Sequence, residues 1–93
     1  TSIEPGTYRP GRWGVRIENL AMNREAGSSE FGDFLKFETL TLCPIDTRCL
    51  LPDLLSQEEK QWFNAYHAEV RERLSPLLDG AALEWLNTRT VAI

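Results

Sequence analysis

The feature that most constrains this chain is a change in hydrophobic period near Leu51. Before it, apolar residues alternate or run together. After it, Trp62, Phe63, Tyr66, Val70 and Leu74 recur at three- and four-residue spacing until Pro76 stops them. Ser56, followed three residues later by Glu59, is a capping-box pattern that places the start of this amphipathic helix. Asp79-Gly80 opens a shorter second helix, with Ala82, Leu83, Trp85 and Leu86 as its packing residues. Strands first and helices second make the expected class α+β.

In the first half, Trp13, Val15 and Ile17 fall on one face of a strand reaching from Arg12 to Met22, and Arg16 and Glu18 fall on the other. Pro5-Gly6 and Pro10-Gly11 are turn signals, so Ser2 to Glu4 reads as the end of a preceding strand. Asn23 to Asp33, polar or small with two glycines, reads as a surface loop. Phe34 to Ile45 reads as a second long strand, and its imperfect alternation suggests either a bulge near Glu38-Thr39 or a strand covered on both sides.

Ninety-three residues make one small domain or a piece of a larger one. The absence of an initiator Met suggests an excerpt. Fourteen acidic against ten basic side chains give a net charge of −4, the wrong sign for a nucleic-acid or anionic-membrane binder. No apolar run approaches the ~20 residues that span a bilayer, and TSIEPG has no signal-peptide character. Cys43 and Cys49 match neither a CxxC pair nor a zinc spacing and read as reduced thiols. His67, in mid-helix, reads as a packing or partly exposed histidine. Trp62, Phe63 and Tyr66 read as core or subunit interface, and Tyr8 as packing.

Glu4 and Glu18 stand fourteen positions apart among residues suited to burial. By itself, Glu18 next-but-one to Arg16 suits a surface ion pair on a solvated sheet face, and Glu4 before Pro-Gly suits a turn. A buried carboxylate would instead need a partner charge or a metal.

The segments IEPGTY and GVRIEN closely resemble the end of the catalytic domain of the pita-bread metallopeptidases. FLKFETLTLCPID, LLSQEEKQWFNAYHAEVRERLSPLL and ALEWLNTRT resemble the C-terminal extension of the long Xaa-Pro aminopeptidases within that superfamily. The resemblance covers essentially the whole chain; many relatives carry Pro where Ala92 stands. It implies residues 1–31 as the end of the catalytic domain and residues 32–93 as the extension, a strand and two helices. It further implies two divalent ions, Mn²⁺ by expectation, held by five side chains in chain order Asp, Asp, His, Glu, Glu. Glu4 and Glu18 match the last two, Glu4 also handling the proton of the attacking water and Glu18 bridging the ions; Arg16 orients the carboxylates. The upstream Asp, Asp and His have no counterpart here, so this chain alone is expected to be inactive and to bind Mn²⁺ weakly. The implied substrate is a peptide with a penultimate proline, the implied assembly a homodimer and the implied location the cytoplasm. A stand-alone dimerisation or interaction module without catalysis, with both glutamates incidental, is the rival reading, and a metal-free creatinase-like enzyme a second.

Overall fold

The computed structural model describes residues 1–93, and its architecture follows the strand-then-helix order. The strands are β1 (Ser2–Ile3), β2 (Gly6–Arg9), β3 (Trp13–Arg16), β4 (Asn19–Ser29) and β5 (Gly32–Thr39). Two α-helices follow, α1 (Gln57–Leu74) and α2 (Gly80–Arg89), with short 3-10 turns between. The chain forms two compact units, Thr1–Thr41 and Leu42–Ile93.

In the first unit, β1, β4 and β5 form one antiparallel sheet in the order β1-β4-β5, and β2 pairs with β3. Both ladders near the N-terminus belong to a single hairpin register. Ser2 faces Leu20 and Ile3 faces Asn19; farther along, Gly6 faces Arg16 and Arg9 faces Trp13. Gly11, at φ +70°, turns the chain at the hairpin tip, a backbone geometry that disfavours side chains with a Cβ. The expected continuous strand from Arg12 to Met22 is interrupted at Ile17-Glu18, and Pro5 supplies the reason. It faces Ile17 and accepts from the Ile17 N–H at 3.3 Å, but it has no N–H to return.

The expected loop from Asn23 to Asp33 is instead strand. β4 runs on to Ser29, a two-residue turn at Glu30-Phe31 reverses the chain, and β5 begins at Gly32. Polarity misled because nearly every residue of this hairpin is exposed, so neither face needs an apolar pattern. The hairpin carries polar cross-strand partners, Arg24 with Glu38 diagonally and Ser28 with Asp33 directly opposite. A bulge exists, on the partner strand rather than at Glu38-Thr39: Ala26 is the extra residue between Glu25 and Gly27, and Gly27 takes φ +105° to admit it. β5 ends at Thr39, so the second strand stops short of Ile45.

The second unit is built on α1. Ser56 Oγ accepts from the Glu59 N–H and the Glu59 carboxylate accepts from the Ser56 N–H, completing the capping box read from the sequence. Phe63, Tyr66, His67 and Val70 are the buried face of this helix. Tyr66 and Val70 pack with Leu86 of α2, and Leu42, Ile45, Leu74 and Leu83 close around them. Polar side chains fasten this small core. The Tyr66 hydroxyl donates to the Cys43 carbonyl at 2.9 Å, and His67 Nε2 accepts from the Ile45 N–H at 2.9 Å. Asn64 grips both backbone groups of Ile93, and Arg71 donates to Thr90 Oγ1 and the Asn87 carbonyl, each at 2.8 Å. Trp85, expected to pack, is half-exposed, and Trp62, read as core or subunit interface, is half-exposed with its ring stacked on Tyr66. Cys43 and Cys49 are free thiols.

Candidate metal-ligand pair on the N-terminal hairpin

Counting on from the pair Ile3 and Asn19, and back from Gly6 and Arg16, places Glu4 opposite Glu18. The two residues therefore face each other at the one interruption of the hairpin ladder. Pro5 makes that interruption, so the proline of the Glu-Pro-Gly segment has a structural consequence for the glutamate before it.

Each glutamate has a local partner. Ser2 Oγ donates to Glu4 Oε1 at 3.0 Å, and Arg16 Nε donates to Glu18 Oε2 at 2.9 Å. The Arg16 and Glu18 side chains are 49% and 38% exposed, so in this chain they form the solvated ion pair that their spacing alone suggested. Arg16 gathers the site electrostatically: the neighbouring Tyr8 hydroxyl and then the Glu18 carboxylate hold its guanidinium above its ordinary pKa, with Glu4 adding to the same effect. No third His, Cys, Asp or Glu joins the pair to complete a metal-binding cluster.

The donor set nevertheless suits a divalent cation. Two carboxylates on opposed residues are hard oxygen ligands of the kind Mn²⁺ accepts, and Arg16 on Glu18 Oε2 limits the freedom of that side chain. Sequence reasoning singled out Glu4, Arg16 and Glu18 and read Tyr8 as packing. Its ring is 57% exposed and lies across the hairpin toward Arg16. The spacing Gly6, Tyr8, Gly14, Arg16 was the available signal: two glycines beside an aromatic residue on one strand face.

Residues 33–93 match the family described as the C-terminal region of peptidase_M24. A probable Xaa-Pro aminopeptidase P of Coprinopsis cinerea is 46% identical over 97 aligned residues, covering 99% of this chain and 16% of its own length. Aminopeptidase P2 of Arabidopsis thaliana is also 46% identical, covering 98% of this chain and 14% of its own length. The crystal structure of a Caenorhabditis elegans X-prolyl aminopeptidase, titled a cytosolic enzyme with a di-nuclear active site, superposes with a TM-score of 0.85 at 38% identity, over 99% of this chain and 16% of that one. The chain thus spans about a sixth or less of the length of these relatives. The strands followed by two helices are the α+β arrangement of the C-terminal part of that pita-bread structure, and the chain belongs to the family described as the C-terminal region of peptidase_M24.

Proposed function

We propose that this chain supplies the C-terminal part of a Xaa-Pro aminopeptidase, which hydrolyses the bond between an N-terminal residue and a penultimate proline. Residues 1–31 end the catalytic domain, and residues 32–93 form its C-terminal extension. The observation that carries the reading is the placement of Glu4 directly opposite Glu18 at the break in the ladder. Similarity along nearly the whole chain to enzymes named for this activity supports it.

In this reading Glu4 and Glu18 would hold two divalent ions, Mn²⁺ in our assignment, together with ligands from the rest of the protein. When bound, such ions supply Lewis-acid polarisation of the scissile carbonyl and activation of water near neutral pH. Glu18 would be the carboxylate shared between them; Arg16, on its Oε2, orients the group and balances its charge. Glu4 would take the proton of the attacking water and deliver it to the leaving amine, the general base and general acid role open to a carboxylate. The wider assignment is a cytoplasmic homodimer. The description of the nematode relative as cytosolic supports the location, and the half-exposed Trp62 and Trp85 offer apolar surface for a second copy.

Metal removal tests the function. Chelation of the whole protein that carries this chain should abolish cleavage of a Xaa-Pro peptide, and added Mn²⁺ should restore it. Cleavage that survives exhaustive chelation, or that never occurs with any divalent ion, would overturn the proposal.

A further inference from the structure

We propose that Tyr66 and His67 form a latch on α1 that holds residues 42–46 in place, and that protonation of His67 opens it. Residues 42–46 need such a device. They belong to no helix or strand, and Pro44 among them has no N–H to give. Their hydrogen bonds to α1 come from two adjacent side chains. The Tyr66 hydroxyl donates to the Cys43 carbonyl at 2.9 Å and accepts from the Cys43 N–H at 3.4 Å. On the other side of Pro44, the Ile45 N–H donates to His67 Nε2 at 2.9 Å. Leu42 and Ile45 thereby lie against the core of Tyr66, Val70 and Leu86. Asp46, at the end of the segment, is committed to the Arg48 side chain instead of α1.

The two halves of the latch differ in kind. A phenol hydroxyl donates and accepts at once, whereas an imidazole nitrogen accepts only while the ring is neutral. A proton added at His67 Nε2 replaces the acceptor with a second N–H, so two donors would face each other across the 2.9 Å that now separates the atoms. The accompanying charge has no partner. The ring is 0% exposed, and Nδ1 already lacks a hydrogen bond. On α1 the imidazole meets Phe63, with ring centroids 4.5 Å apart, and Tyr66, at 5.9 Å; Arg71 adds a positive charge that opposes a second one. The segment presents Ile45, while its one carboxylate, Asp46, is paired with Arg48. From α2 the adjoining core receives Leu83 and Leu86, and neither Glu84 nor Arg89 of that helix shifts the titration of the ring. Departure of residues 42–46 relieves the conflict by uncovering the imidazole, and α1 stays tied to α2 through Arg71, Thr90 and Asn87.

The test is hydrogen–deuterium exchange of the whole protein that carries this chain, read by mass spectrometry on peptides covering residues 42–46, α1 and α2, with the intrinsic pH dependence of exchange divided out. Opening that takes up one proton becomes up to about tenfold more frequent per pH unit below about 6.5, until the depressed folded value is reached. Protection of residues 42–46 should therefore fall close to tenfold between about pH 7 and about pH 5.5, while α1 and α2 keep theirs. His67→Gln offers an oxygen to the same N–H with no proton to gain, and should remove the pH dependence. Tyr66→Phe deletes the other half of the latch; it should lower protection of residues 42–46 at every pH and leave the acid response in place, a second readout should His67→Gln fail to fold. A fall of less than about twofold in the native protein would overturn the latch, as would an acid response that persists in His67→Gln. Simultaneous loss of protection in residues 42–46, α1 and α2 would overturn it too, because the acid event would then be unfolding of the helical unit as a whole.

Discussion

Glu18→Ala in the whole protein is expected to reduce kcat for a Xaa-Pro peptide by at least about a hundredfold, exceeding what loss of an outer partner typically costs. Substitution would remove the carboxylate assigned to both ions and leave Arg16 without the acceptor now 2.9 Å from its Nε. The fold should survive. Glu18 lies outside both hairpin ladders and is exposed, and the ion pair it forms is of a solvated kind that contributes little to stability. Glu4→Ala should lose nearly as much activity, since the facing position supplies the second carboxylate. Steady-state kinetics at saturating Mn²⁺, with circular dichroism to confirm folding, checks both. Retention of more than about a tenth of kcat by folded, metal-loaded Glu18→Ala protein would contradict the bridging role.

The second large effect concerns His67, whose ring is fully buried. Nε2 accepts the Ile45 N–H, which places the imidazole proton on Nδ1, and Nδ1 has no partner. Burial, and secondarily the nearby Arg71 charge, push the His67 pKa below its ordinary value. A group whose pKa is depressed by folding favours the folded state above its unfolded pKa, and that contribution is lost as pH falls through the folded value. Stability of the helical unit should therefore decline as pH drops below the ordinary histidine range. His67→Phe keeps a ring against Phe63 but strands the Ile45 N–H, at a cost of about 1–3 kcal/mol at neutral pH. It should also flatten the acid limb. Urea denaturation followed by tryptophan fluorescence across that pH range checks both. An unchanged acid limb in the variant would show that the pH dependence has another source.

How much of this was legible in the sequence depended on whether a residue's surroundings are local. The capping box at Ser56 and Glu59 and the stop at Pro76 act within a few residues, and α1 begins at Gln57 and ends at Leu74 accordingly. Glu4 and Glu18 were recognisable as a pair by resemblance. Their direct opposition is a matter of register, which the turn at Pro10-Gly11 and the missing N–H of Pro5 determine once the hairpin is seen. The hairpin from Asn23 to Asp33 was not legible, because its partners are polar side chains across the strands and its exposed faces leave no apolar pattern. His67, Asn64 and Arg71 escaped for a different reason. Each fastens backbone or side-chain groups between 16 and 29 positions away, and helix periodicity marks only which face a residue occupies, not what it meets there.

The most direct test of the account is diffraction from crystals of the whole protein grown with Mn²⁺, with data collected on both sides of the manganese absorption edge. The account predicts two anomalous peaks about 3.5–4 Å apart beside the hairpin, with Glu18 reaching both and Glu4 reaching one. Manganese bound elsewhere, with both glutamates facing solvent as a simple surface pair, would contradict it.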